Sequence, residues 1–482
     1  MPLLLNSNFI DGEYKKSFSG ECSTKSPFYD YSFELPNSSV VDVKLALSYA
    51  TQARKIAHTL SFEQRAAIVM NAAANYQVTD EECEHLVKMT GMPRKHVHTR
   101  MSFGKQILES LPQMIRSRYG HGFGTITRQI LKNGHYAGYE THRSVDGVIA
   151  AFVPPNDPAE LPFLLGHVVM YGGTIIVKPS MSEPYMALKI AELLTKAGYP
   201  AGGLQVLQWN TADSTRAQVS QELVRASSHR IIMGGHHTAE QLLKVHDNEG
   251  NLTEEHYSSG RNCIFSSGNS KAIIAQGCDI EAVADMLVAG AYEWTRDCVS
   301  TKSVFVVGEE QKNKLIAALQ RKLATFCVGD PLDEKTDIGF VEDVQKIIGI
   351  IKGLVDFKYA QMHVGDYNAG PFLLETTNVH SPLLQQELPY TLTIFPVESV
   401  SSAVAAINEA SLLLEDKMTM AISFFSPMPI DALDASVMNM LLTLRCHLLM
   451  YNKPSIALNV FLRHQDTVLT EFLTRPMSVN VE

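Results

Sequence analysis

The chain has 482 residues, too many for a single hydrophobic core, and is expected to divide into two or three domains. Hydrophobic residues make up 45% and charged residues 19%, a globular composition that excludes collagen-like and disordered classes. A formal charge of −10 gives no electrostatic reason to bind nucleic acid or an anionic membrane, and neither partner is expected. From about Leu45 to Leu111 the pattern is mostly helical, with Ala46, Tyr49, Ala50, Ala53 and Ala57 on one face. Ser61 and Gln64 form a capping-box signal for the second helix. Arg118 to Arg143, with Gly120, Gly122 and Gly124, reads as a β excursion.

From Gly147 the grammar changes to strand and helix in alternation. Gly147 to Val153 is a buried-strand run stopped by Pro154-Pro155. A helix over Leu161 to Met170, a strand at Thr174 to Val177 and a helix from about Glu183 to Ala197 follow, the last ended by Gly198. Leu204 to Leu207, a helix to about Val224 and Ile231 to Met233 continue the series. Such repetition implies a parallel sheet covered on both faces. Ligands bind beyond the carboxyl ends of such strands, which puts Asn156, Lys178 and Gly234-Gly235 along one rim. A second alternating block begins near Asn262, with Asp279 as N-cap of an apolar-faced helix carrying Val283, Met286, Leu287, Gly290 and Trp294. Cys298 sits where that helix runs out, ahead of the strand Ser303 to Val307. The strand-like tail, Pro476 to Val481, is expected to pair with the Arg118–Arg143 excursion or with another subunit.

Seven cysteines include no Cys-x-x-Cys pair, which argues against a disulfide framework or a zinc ribbon. No run approaches the roughly 18 apolar residues of a membrane span, and Met1-Pro2-Leu3-Leu4-Leu5-Asn6 shows no secretory signal, so a cytoplasmic location is expected. The adjacent His236-His237 lacks the i, i+4 spacing of a zincin, and no metal site is expected. Walker A, GxSxG and strand-following GxGxxG motifs are also missing from the sequence.

Several segments, taken in order, resemble the aldehyde dehydrogenase superfamily. They are Phe9-Ile10-Asp11-Gly12-Glu13, Phe152-Val153-Pro154-Pro155-Asn156, Gly172 to Ser180, Ala197-Gly198-Tyr199-Pro200, Val328 to Asp333 and Thr336 to Gly339. The resemblance implies two α/β domains with parallel-type sheets plus a small β bridging element. On it, residues 1–120 and 144–256 form the dinucleotide-binding domain and 257–450 the catalytic domain. Residues 121–143 and 451–482 form the bridging and oligomerisation element, in a homodimer or homotetramer. The implied activity is NAD(P)-dependent oxidation of an aldehyde through a Cys298 thiohemiacetal and thioester, with Asn156 donating to the oxyanion. Pro154, Pro155, Lys178, Ser180, Met181, Gly234, Gly235 and Glu387 fall at cofactor-binding positions. Met181 stands where NAD enzymes often carry a carboxylate for the adenosine ribose, and NAD is expected only weakly over NADP. Aligning Tyr257-Ser258-Ser259-Gly260-Arg261-Asn262 with the family's Glu-Leu-Gly-Gly-Lys-Asn segment puts Tyr257 at the general-base position, with Glu254 and Glu255 just upstream. A phenol of ordinary pKa about 10 is a poor base at neutral pH. Two further readings therefore stand beside hydrolysis: passage of the acyl group to coenzyme A or another thiol, and a non-catalytic protein that retains the fold.

Overall fold

A computed structural model describes residues 5–119, 126–131, 134–213, 216–246, 252–256, 260–265, 268–293, 295–296, 298–365, 370–414, 417–457 and 469–481. The chain divides into two compact units. The first comprises residues 1–90, 97–265 and 467–482; the second comprises 91–96 and 266–466.

The first unit carries a seven-stranded sheet. Its strands are β1 (Asn8–Ile10), β2 (Glu13–Lys15), β5 (Ile149–Val153), β6 (Ile175–Pro179), β7 (Leu204–Val206), β8 (His229–Met233) and β9 (Arg261–Phe265), in the spatial order β9-β8-β5-β6-β7-β1-β2. The five strands from β9 to β7 run parallel, while β1 and β2 close one edge antiparallel. β5, β6 and β8 are buried at every position, which accounts for their unbroken apolar runs in place of alternation. Helices α1 (Val40–Ala57), α2 (Phe62–Ala74), α3 (Glu160–Tyr171), α4 (Tyr185–Lys196), α5 (Ala217–Ala226) and α6 (His236–Leu243) accompany this sheet. Ser61 and Gln64 cap α2 reciprocally as expected. A second capping box, Ser39 with Asp42 on α1, has an Asp at N3 in place of the usual Glu or Gln. Gly198 follows the α4 C-cap at φ +112°, a conformation that costs a side chain dearly.

A three-stranded antiparallel sheet also belongs to this unit: β3 (Ile126–Leu131), β4 (Gly134–Ser144) and the C-terminal β17 (Thr474–Val481), in the order β17-β4-β3. The tail and the excursion therefore pair with each other, Thr474 opposite Ser144 through Val481 opposite Ala137. Contacts gather residues 467–482 with the first unit, whereas sequence reasoning assigned them to a separate element beginning at 451. The main division falls at 265/266, not at 256/257, because β9 pairs along its whole length with β8.

The second unit holds another seven-stranded sheet. Its strands are β10 (Ser270–Ile274), β11 (Thr301–Val307), β12 (Gln361–Val364), β13 (Phe372–Glu375), β14 (Thr391–Val397), β15 (Thr419–Phe425) and β16 (Cys446–Tyr451), in the order β12-β13-β14-β11-β10-β15-β16. All pairs are parallel except the edge pair β12–β13. Ile274, Leu287, Val304, Val306, Leu315, Leu319, Leu392 and Ile394 join one core cluster beside it. Asp279 caps α7 (Ile280–Val288) by accepting from the backbone N–H groups of Glu281 and Ala282. That helix does not run on regularly towards Cys298; it passes into a π-helical turn, Ala289–Glu293. Among the described residues, no helix is long and apolar enough to cross a membrane.

Candidate active site

The carboxyl ends of β5, β6 and β8 collect most of the expected cofactor residues. Pro154, Pro155 and Asn156 leave β5 and are half-buried. Asp157 fixes this turn: its Oδ1 accepts from the Ala159 N–H at 2.9 Å and lies 3.3 Å from Nη1 of the buried Arg100. Ser180 and Met181 leave β6, with the Ser180 N–H donating to the Val153 carbonyl at 2.8 Å and tying the two exits together.

Lys178 lies in β6 with only 6% of its surface exposed. Among the described residues no acceptor lies within hydrogen-bonding distance of its Nζ, which sits 5.7 Å from the centre of the buried Trp209 ring. Burial pulls this ammonium down to about 8, with the Cys22 thiol acting in the opposite direction. The Trp209 Nε1–H donates to Ser220 Oγ at 3.1 Å. Ser220 lies on α5, one turn beyond Arg216, whose buried Nε lies 3.7 Å from Asp213 Oδ2. At the exit of β8, Gly234 has φ +151°. Gly235 starts α6 without a side-chain cap, and a Cβ added there would meet nothing within 4 Å. A buried ammonium without an acceptor among the described residues, on the same sheet edge as a helix start with open space in front, fits a polyhydroxy, phosphate-bearing ligand such as a dinucleotide.

Cys298 and Glu387 belong to the second unit. Cys298 is half-buried and packs beside Val299, Met420 and Ala421. Its carbonyl accepts from Ser270 Oγ at 3.2 Å, and Ser270 Oγ in turn accepts from the Ala421 N–H at 3.2 Å. Gly268 lies so close that a Cβ built on it would fall 1.5 Å from the Cys298 carbonyl oxygen. The Gly268 carbonyl accepts from the Met420 N–H at 2.7 Å. Glu387, expected at the cofactor, places Oε1 on the backbone N–H groups of both Gly268 and Asn269. Burial pushes its carboxyl up, while Lys302, those two N–H groups and Lys271 pull it back.

Sequence reasoning missed Lys271 and Lys302, both almost fully buried. Lys271 Nζ donates to Asn269 Oδ1 at 2.8 Å, to the Leu384 carbonyl at 3.0 Å and to the Asn269 carbonyl at 3.3 Å. Burial pulls it down to about 7, against the opposing pull of Glu387. Lys302 Nζ donates to the Thr295 carbonyl at 2.6 Å and the Leu388 carbonyl at 3.5 Å. A charged residue opening each of two otherwise uncharged buried strands was the available signal.

Tyr257 lies outside the described residues. The segment it heads runs into the amino end of β9, whose first residues are Arg261 and Asn262. Ser-Ser-Gly occurs twice, at 258–260 and at 266–268. The second copy follows the carboxyl end of β9, and its glycine is the one that lies against Cys298. Phe265, the last residue of β9, is buried, and its carbonyl accepts from the Gly234 N–H at 2.8 Å.

The sequence profile of the Aldehyde dehydrogenase family matches residues 17–415. A malonate-semialdehyde dehydrogenase of Bacillus cereus is 24% identical over 425 residues, covering 84% of this chain and 82% of its own. A 3-sulfolactaldehyde dehydrogenase of Priestia megaterium is 25% identical over 280 residues, 56% of this chain; the match spans only 55% of that relative's length. In fold, the chain is similar to an NAD-dependent benzaldehyde dehydrogenase of Corynebacterium glutamicum, with TM-score 0.79, 15% identity and coverage of 100% and 99%. It is also similar to the P. syringae indole-3-acetaldehyde dehydrogenase in complex with NAD+, with TM-score 0.81, 20% identity and coverage of 99% and 96%. With the profile matched over most of its length, the chain belongs to the aldehyde dehydrogenase family.

Proposed function

We propose that the chain oxidises an aldehyde, with NAD or NADP as partner, through a covalent adduct on Cys298. The observation that carries this reading is the setting of Cys298: a half-buried cysteine just ahead of β11 whose peptide is held by Ser270 and Gly268. The Cys298 thiolate adds to the carbonyl carbon, forming the C–S bond and moving an electron pair onto oxygen. Asn156, on the strength of its matched motif, supplies an amide N–H to that oxyanion. Lys178, with Ser180, Met181, Gly234 and Gly235 at the same carboxyl edge of the sheet, would hold the dinucleotide. A nicotinamide, when bound, would supply the acceptor for the hydride that leaves the aldehyde carbon.

Deacylation is where the residues depart from hydrolysis. When the family's Glu-Leu-Gly-Gly is set on the copy of Ser-Ser-Gly whose glycine, Gly268, lies against Cys298, the general-base position moves from Tyr257 to Phe265. An apolar ring cannot accept a proton from water, and loss of a positioned base typically costs roughly 10²–10⁴ in rate. This favours, as a second reading, passage of the acyl group to coenzyme A or another thiol.

The test is kinetic. Cys298→Ala should abolish aldehyde-dependent NAD(P)H formation and leave dinucleotide binding intact. Wild type should release one equivalent of NAD(P)H per site in a burst, then turn over slowly, and a thiol acceptor should speed the slow phase. A Cys298→Ala variant at full rate would overturn the nucleophile, and rapid linear turnover without a thiol would overturn the missing base. If neither dinucleotide binds below millimolar concentration, the non-catalytic reading replaces this one. Competitive titration of NAD against NADP reads the preference, since Met181 leaves no carboxylate for the adenosine ribose. Assembly as a dimer or tetramer is read by sedimentation.

A further inference from the structure

Glu387 matches a cofactor-binding position of the family, but its contacts lie elsewhere. One carboxylate oxygen takes two backbone N–H groups, from Gly268 and Asn269, which are 119 and 118 residues away in sequence. Gly268 in turn presses on the Cys298 carbonyl with no room for a Cβ. The loop that carries Glu387 is fastened on both sides by buried lysines: Lys271 through the Leu384 carbonyl and Lys302 through the Leu388 carbonyl. Asn269 Nδ2 adds a second bond to the Leu384 carbonyl at 3.1 Å. Lys302 also reaches the Thr295 carbonyl, three residues ahead of Cys298, and Thr295 Oγ1 accepts from the Tyr390 N–H. Hydrogen bonds thus join Thr295 to Lys302 and Lys302 to Leu388, the chain neighbour Glu387 bonds to Gly268, and Gly268 packs directly on Cys298. The two ammonium groups supply the countercharge a buried carboxylate requires.

We infer that Glu387 is a positioning residue for Cys298: its carboxylate clamps the Gly268–Asn269 backbone against the cysteine peptide. The inference rests on Cys298 being the nucleophile. A nucleophile must lie within about 3–3.5 Å of its carbon, and a slip of about 1 Å costs on the order of 100-fold in rate. Such a clamp acts on the chemical step and leaves dinucleotide affinity alone.

Glu387→Gln and Glu387→Asp separate this role from a cofactor contact. Glu387→Gln is expected to speed hydrogen–deuterium exchange at least tenfold in the peptides that carry Gly268 and Cys298. It should slow the NAD(P)H burst by ten- to a hundredfold and leave the dinucleotide Kd, measured by calorimetry, within twofold. Glu387→Asp keeps the charge on a shorter arm and should recover part of the burst rate, and it remains informative if the glutamine variant fails to fold. Unchanged exchange in both peptides overturns the clamp, and so does a tenfold weaker Kd. Should Cys298→Ala still oxidise aldehyde, the nucleophile reading fails on its own, and the exchange data still report whether Glu387 holds Gly268.

Discussion

Replacing Gly268 with alanine tests the packing at the candidate nucleophile directly. The added Cβ would fall 1.5 Å from the Cys298 carbonyl oxygen, 2.3 Å from its carbonyl carbon and 2.6 Å from its Cα. Non-bonded carbon needs about 3.5 Å, so the two backbones must part by about 2 Å. That movement breaks the Ser270 Oγ bond to the Cys298 carbonyl and the Met420 N–H bond to the Gly268 carbonyl. Two hydrogen bonds at about 1 kcal/mol each, with about 1–3 kcal/mol of overpacking strain, give a loss of about 3–5 kcal/mol. Two compact units need not melt together, so a single melting temperature would blur the effect. Pulse alkylation along a urea titration resolves it, with Cys263 reporting on β9 of the first unit and Cys446 on β16 of the second. At a slope of about 2–3 kcal/mol per molar urea, the Cys446 midpoint should fall by about 1–2 M while Cys263 stays near its wild-type value. An unchanged Cys446 midpoint would refute the claim that only glycine fits there.

Acid should loosen the first unit. Burial pulls His85 and His167 down to about 4, and both are held neutral. The unfolded chain takes up their protons between pH 6.5 and 4 while the folded chain does not, so stability falls with pH across that window by roughly 3 kcal/mol for each. A Cys263 urea midpoint that stays flat from pH 7 to 4 would contradict this. Lys178→Met should weaken binding of either dinucleotide about 10- to 100-fold without lowering the Cys263 midpoint, as expected for removal of a buried charged donor that has no hydrogen-bond acceptor among the described residues. Asp279→Ala removes the cap from α7 and should lower the Cys446 midpoint by the equivalent of about 1 kcal/mol; no shift there would mean that the cap is replaced by water.

What the sequence made legible was local. Ser61, Asp279 and Gly198 announce helix ends because capping uses neighbours within three or four residues. β5, β6 and β8 stand out because a strand covered on both faces is apolar throughout, and parallel order then places Asn156, Lys178 and Gly234 at one rim. The partners of Glu387 lie more than a hundred residues away, and nothing in Gln386-Glu387-Leu388 announces them. The two Ser-Ser-Gly copies carry the same letters, and only the folded chain shows that it is the glycine of the second, Gly268, that lies against Cys298. The π-helical turn at Ala289–Glu293 was hidden as well, since its apolar spacing also suits an ordinary helix.

The floor beneath Cys298 comes from late in the chain. Ala421 bonds to Ser270 across 151 residues, and Met420 bonds to Gly268 beside it. While the chain is being synthesised, Cys298 emerges well before β15 exists to hold it. Ser270 and Gly268 are then already present, but the Met420 and Ala421 contacts that complete the seat are not. A chain interrupted ahead of Met420 would therefore carry the cysteine with Ser270 and Gly268 but without the Met420 and Ala421 side of its seat.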